Sequence, residues 1–258
     1  MINQKGGVGK TTTVINLATA LSFLGKKILV IDLDPQGNAT TGFGLSNNDE
    51  SKTIYSVLNG DADIQDTIQD TKFENLKLIS SNVDLSGLEV ETANESRRAF
   101  LLKDKIENFI NSDKNDFSYI FIDCPPSLSL LTVMSLVVAS SLIVPLQAEF
   151  FALEGLSQLM KTIERVKEKL NPKLEIRGVL LTMFDRRNKL SAQVDTEARK
   201  FFNEKVYKTV IPRNVRLSEA PSHGIPILVY DKLCAGSRSY SSFADEFLKQ
   251  ENIMDSAA

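Results

Sequence analysis

The run Lys5-Gly6-Gly7-Val8-Gly9-Lys10-Thr11-Thr12 is the part of the chain best suited to chemistry. Glycines let the backbone curl until successive N–H groups converge, which suits the oxygens of a phosphate. A helix beginning at about Lys10 turns its positive end toward the same anion. Lys10 can then reach the β- and γ-phosphates of a nucleotide, and the Thr11 hydroxyl is placed to bind magnesium. In the general phosphate-loop pattern a glycine, four further residues and then Gly-Lys-Ser/Thr follow in order. Here Gln4 takes the first glycine position, and a second lysine, Lys5, precedes the paired glycines. The cofactors this loop calls for are ATP and Mg2+.

Two groups of acids fit around that loop. Ile28-Leu-Val-Ile-Asp32-Leu-Asp34-Pro35-Gln36 reads as a buried strand with acids at its carboxyl end, where ligands of parallel sheets bind. Tyr119-Ile-Phe-Ile-Asp123-Cys124-Pro-Pro does the same on another strand. A single strand-end Asp is usually a helix or turn cap. Beside a phosphate loop, one acid suits the magnesium shell and another suits positioning an attacking water. The lone histidine, His223, sits in a Ser-His-Gly turn and reads as structural. Cys124 and Cys234 match no metal-ligand spacing and imply a reduced, cytosolic setting.

Elements that could hold these residues recur along the chain. Apolar runs occur at Ile28–Ile31, Leu76–Ile79, Tyr119–Ile122, Leu142–Leu146, Gly178–Leu181, Val206–Ile211 and Ile227–Val229. Continuous rather than alternating hydrophobicity means strands covered on both faces. Between them, Val14, Leu17, Ala18, Leu21 and Leu24 form a helical stripe closed by Gly25. Further helices are predicted over about Leu128–Ala139, Ala152–Leu170, Ser191–Phe202 and Ser242–Leu248. The expected fold is α/β: a doubly wound, mostly parallel sheet flanked by helices, as one domain over residues 1–250 with a frayed tail at 251–258.

Composition excludes some classes. The stretch Cys124–Ala148 carries no charge, but its three prolines and its Ser, Thr and Gln side chains make it a loop, a buried helix and a strand rather than a membrane span. Net charge is −3, yet residues 160–240 hold 17 of the 30 Lys and Arg and only 9 of the 33 Asp and Glu. Such asymmetry fits either a face that meets a polyanion or a chance excess on solvated helices.

Lys5 with Gly6-Gly7-Val8-Gly9-Lys10-Thr11 resembles the deviant phosphate loop (P-loop) of the ParA/MinD ATPases. Asp32-Leu-Asp-Pro-Gln-Gly-Asn-Ala-Thr40, Asp123-Cys-Pro-Pro-Ser-Leu128, Thr182-Met-Phe-Asp185 and Ile211-Pro-Arg-Asn-Val-Arg-Leu-Ser-Glu-Ala-Pro-Ser-His-Gly224 narrow the resemblance to ParA/Soj-type partition ATPases, from about Asn3 to Leu248. The resemblance implies a cytoplasmic, nucleoid-associated ATPase that forms an ATP-bound homodimer, binds duplex DNA without sequence preference and acts with a ParB-type partner. Lys5 would cross the dimer interface to the partner's phosphates. Asp34 would orient the hydrolytic water, and Asp123 would hold the magnesium shell. Pro212, Arg213 and Asn214 fall where the family contacts adenine, and Arg187 and Arg216 where it grips DNA.

One departure stands out. The family carries a hydrophobic strand before the P-loop, and here only Met1-Ile2-Asn3 precede Gln4. The expectation is a short or missing first strand, through either a misassigned start or a real loss. Other readings are a MinD-like membrane-positioning ATPase, a nitrogenase iron-protein-like electron carrier, or a nucleotide-binding scaffold without turnover. The acidic tail from Glu246 lacks the basic amphipathic helix of the first, and the two cysteines do not supply the cluster of the second.

Overall fold

A computed structural model describes residues 1–46, 52–149 and 152–255. From the N-terminus run α1 (Lys10–Phe23), β1 (Ile28–Asp32), α2 (Asn38–Gly42), α3 (Ile54–Leu58), α4 (Ile64–Thr67), β2 (Ile68–Asp70) and β3 (Leu76–Ile79). Then come α5 (Leu88–Glu91), α6 (Leu101–Ile110), β4 (Tyr119–Asp123), α7 (Leu130–Val138), β5 (Ser141–Gln147) and α8 (Ala152–Lys169). The last third holds β6 (Glu175–Thr182), α9 (Lys189–Phe202), α10 (Val215–Glu219), α11 (Ile227–Tyr230) and α12 (Ala235–Asp255).

The strands pair in the order β2-β3-β1-β4 and, separately, β5-β6. All pairings are parallel except β2 with β3. Along β1 the side chains alternate between two cores. Ile28 and Val30 pack with α1, α11 and α12, while Leu29 and Ile31 pack with α3, α6 and α7. Covering both faces is what makes the run wholly apolar, and each such residue contributes roughly 1.5–3 kcal/mol. A third core lies between β5–β6 and the helices α8 and α9.

No strand precedes the P-loop among the described residues, and the sheet is divided between β4 and β5. Residues 1–3 occupy that seam. The Met1 nitrogen donates to Ile122 O at 2.8 Å, Ile2 N to Ile143 O at 3.1 Å, and Asn3 Nδ2 to Pro145 O at 2.7 Å. Tyr119–Ile122 stay only half-buried, although β4 pairs with the mid-sheet strand β1. Tyr119 and Phe121 cluster there with Phe247 of α12, with ring centroids 5.5 to 6.2 Å apart.

Four expectations are corrected. Ile227–Val229 is not a strand but the core of α11, set off by Pro226 at its N-cap. Val206–Ile211 runs beside β6, with Tyr207 N bonded to Val179 O and Ile211 N to Leu181 O, without forming a continuous ladder. The apolar stripe of α1 is in fact burial nearly all round, Thr13, Asn16 and Thr19 included. The tail is not frayed from 251, because α12 continues to Asp255 and Glu251 ion-pairs with Arg177 of β6. Residues 256–258 of that expected tail lie outside the described residues.

Candidate nucleotide site

The P-loop is held at both ends by side chains. Asn3, fixed on Pro145, accepts from Lys5 N through Oδ1 at 3.0 Å. Thr182, at the end of β6, donates its hydroxyl to Val8 O at 2.8 Å. Gly7 and Gly9 have φ of 73° and 88°, a conformation that costs glycine nothing, and Gly9 is the N-cap of α1. Gly6 and Gly7 are exposed, so their backbone faces open space rather than protein. That cradle, with a helix N-terminus beneath it, fits a polyphosphate.

Lys10 is buried, and its Nζ donates to Lys5 O at 3.2 Å. Burial lowers its pKa, while the charges of Asp123, Cys124 and Asp34 oppose the shift. Lys10, Asp34 and Asp123 therefore share one electrostatic neighbourhood. Lys5 is more exposed and ion-pairs with Glu149 of its own chain, just beyond β5.

The two strand-end acids are equally buried but differently partnered. Asp32 Oδ2 accepts from both Thr40 N and Thr40 Oγ1 at 2.8 Å, and Oδ1 accepts from Asp34 N at 3.2 Å. Burial and the Asp123 charge still push its pKa up to about 7, against those bonds. Asp123 has both carboxylate oxygens buried with no hydrogen-bond partner. Burial pushes it up to about 6, with the Thr11 hydroxyl and Lys10 favouring the charged form. The Thr11 hydroxyl lies near enough to act on Asp123 electrostatically but outside hydrogen-bond geometry. An orphaned, buried carboxylate beside a threonine hydroxyl and a phosphate cradle fits a hard cation such as Mg2+.

Asp34 opens the turn that follows β1. Its Oδ1 accepts from Gln36 N at 3.0 Å and its carbonyl from Gly37 N at 2.8 Å. The segment is then pinned at its far end, where Gly44 and Gly224 touch backbone to backbone: a Cβ on Gly224 would sit 2.7 Å from Gly44 Cα. Pro212–Asn214 lies alongside the end of β6, with Arg213 N bonded to Phe184 O at 3.3 Å and Asn214 capping α10 through Arg216 N at 2.8 Å. Asn16 ties α11 to α1: its Nδ2 donates to Thr12 O within the helix and its Oδ1 accepts from Ile227 N, both at 2.8 Å.

Arg187 and Arg216 do not join the nucleotide site. Both are exposed, and each is held by an acid: Arg187 by Asp185 through Nε and Nη2 at 3.2 Å, Arg216 by Glu219 at 2.8 Å. Sequence reasoning assigned no role to Asp32, Thr40, Asn3, Thr182, Asn16 or Glu149. The signal for Asp32 was its place two residues before Asp34. The others become partners only through contacts remote in sequence.

A family model described as an AAA domain matches residues 1–176. The chain is 53% identical over 249 residues to the chromosome partitioning protein ParA of Caulobacter vibrioides, covering 96% of this chain and 92% of that protein. It is 50% identical over 244 residues to the sporulation initiation inhibitor protein Soj of Bacillus subtilis, covering 95% of each. Among solved structures, cobyrinic acid a,c-diamide synthase from Mycobacterium smegmatis, with a bound ATP analog and magnesium, superposes with a TM-score of 0.84 at 33% identity over 96% of this chain and 92% of that one. With half of its residues shared across almost the whole length of two partition proteins, and with a cradle and an orphaned carboxylate suited to ATP and magnesium, the chain belongs to the ParA/Soj family of chromosome-partitioning ATPases.

Proposed function

We propose that the chain hydrolyses ATP slowly to time its grip on DNA, as an ATP-bound homodimer working on the nucleoid with a ParB-type partner. The observation that carries the hydrolytic part is the meeting of buried Lys10 with the unpartnered carboxylate of Asp123 beneath an open glycine loop.

In this reading the backbone N–H groups of Gly6 to Thr12 hold the phosphates, and Lys10 turns from Lys5 O toward the β/γ oxygens. Thr11 and Asp123 would hold magnesium, whose charge would offset that building on the departing ADP. Asp34 orients the attacking water, while Asp32, locked onto Thr40 and Asp34 N, keeps the Asp34 turn in place. The main chain of Pro212 to Asn214 borders the adenine. Lys5 leaves Glu149 to reach the phosphates of a second copy, so a complete site forms only in the dimer. Arg187 and Arg216 exchange their carboxylate partners for DNA phosphates, a contact that positions without reading sequence.

No helix among the described residues is long and apolar enough to cross a membrane. A shift assay on unrelated duplexes, run beside liposome flotation with ATP and with ADP, tests the reading. ATP-dependent binding to DNA alone is expected. Flotation with ATP and no DNA shift would replace it by the membrane-positioning alternative.

A further inference from the structure

A groove opens beside Arg187, between segments that are distant in sequence. It encloses about 430 Å³ and is lined by Asp185, Arg186 and Arg187 from the loop after β6, by Pro212 and Arg213 from the segment beside it, and by Ser239 from the early turns of α12. Main-chain bonds fix the two arms: Phe184 N donates to Ile211 O at 3.0 Å and Arg213 N to Phe184 O at 3.3 Å. At the α12 end, Asp231 accepts from Leu233 N and Cys234 N at 3.1 Å, and its other oxygen lies 3.8 Å from Arg216 Nε. Arg216 does not line the groove; through Asp231 it faces the turn that precedes α12.

The guanidinium groups along this path are not equivalent. Arg187 and Arg216 are already held by Asp185 and Glu219. Arg186 and Arg213 are exposed and, among the described residues, form no ion pair. Of the residues lining the groove, Asp185 alone is acidic, and Arg187 engages it. A phosphate entering the groove has to displace Asp185 from Arg187, whereas Arg186 and Arg213 hold no ion pair, although the Arg213 charge also acts on Asp185. Adenine brings no charge, and the phosphates of a nucleotide belong to the loop at Gly6–Lys10. A repeating anion suits two guanidinium groups without ion pairs set beside the masked Arg187, and a duplex presents one charge about every 1.7 Å along its axis.

We propose that Arg213 and Arg186 are backbone-phosphate contacts for duplex DNA, resting on the DNA-binding reading above. The segment 212–214 then serves two ligands: its main chain borders the nucleotide, and the Arg213 side chain grips the polyanion.

Arg213→Ala and Arg186→Ala test this beside Arg216→Glu, each assayed with ATP on two unrelated duplexes across a series of potassium chloride concentrations. Affinity for a fluorescent ATP analogue is measured on the same preparations. Arg213→Ala is expected to weaken both duplexes about equally, on the order of tenfold at moderate salt. The log–log salt slope should flatten by about 0.9 for each phosphate no longer neutralised, once in each subunit. Arg186→Ala changes DNA binding in the same direction, and its ATP affinity stays within about twofold of the parent. Parent-like DNA binding in both alanine variants, while Arg216→Glu loses it, overturns the groove and leaves the DNA reading intact. A fall in ATP affinity with Arg213→Ala returns that side chain to the nucleotide. Loss of stimulation by a ParB-type partner with unchanged DNA binding assigns the groove to a protein instead. Parent-like binding by Arg216→Glu removes the DNA reading itself.

Discussion

Asp32 and Asp123 are register partners across the parallel β1–β4 pairing, and both are wholly buried. Asp32 is saturated with donors from Thr40 and Asp34, whereas Asp123 has none. Two neighbouring acids at the ends of two strands have thus been divided into one that braces the backbone and one that awaits a cation.

That division has a pH consequence. Asp32 and Asp123 are raised from 3.8 to about 7 and about 6. Between the unfolded and folded values the native state binds more protons than the unfolded one, so stability falls as pH rises through that window. Without metal or nucleotide, the melting temperature is expected to be higher at pH 5 than at pH 8. Asp123→Asn should flatten the profile and raise the value at pH 8, since an amide at this position carries no charge to bury. An unchanged slope in Asp123→Asn would show that other groups govern it.

Lys10→Ala removes the ammonium facing the β/γ oxygens. A charge-assisted bond of this kind is worth roughly 1.5–3 kcal/mol, so ATP affinity should fall by about ten- to a hundredfold, with turnover falling at least as far. Calorimetric titration of ATP checks this, and parent-like affinity would sink the P-loop assignment.

Asp34→Ala separates binding from hydrolysis. The variant should keep ATP and persist as a dimer in sizing chromatography while hydrolysing little. If it loses ATP as fully as Lys10→Ala does, Asp34 belongs with the metal ligands.

Arg216→Glu should abolish ATP-dependent DNA binding at moderate salt while ATP affinity and dimerisation survive, because Arg216 is exposed on α10, outside the nucleotide loop. In the parent, DNA affinity should fall with salt with a log–log slope of about −0.9 for every phosphate neutralised. Loss of DNA binding only in samples that no longer dimerise would count against a direct contact.

The Gly44–Gly224 contact leaves no room for a methyl group, and Gly224 has a φ of 62°. Gly224→Ala should destabilise by about 2–3 kcal/mol, read as a lowered melting temperature. Parent-like melting would mean that the two segments part easily.

What could be read in advance were features written in consecutive residues. The loop Lys5–Thr12 and the apolar runs of β1, β3 and β5 carry their own local signal, and a strand covered on both faces needs no other. Ile227–Val229 was misread because three apolar residues hold no period; Pro226 and the packing of Ile227 on α1 decide for a helix turn. The seam between β4 and β5 and the bonds from Thr182 to Val8 and from Asn16 to Ile227 depend on partners 174 and 211 residues apart. Local pattern contains none of that.

Helix α1 is buried nearly all round, and much of its covering comes from α12: Thr13 meets Tyr240 at 3.1 Å, and Phe243, Ala244 and Phe247 share its core. This arrangement matters during synthesis. At about 5–20 residues per second, on the order of tens of seconds separate the emergence of α1 from that of its cover. Throughout that interval the side of α1 that faces α12 lacks its cover, although β1, α2 and β3 are already made. Closure of this core therefore waits for the last helix, so folding of the phosphate-binding end is coupled to completion of the far end of the described chain.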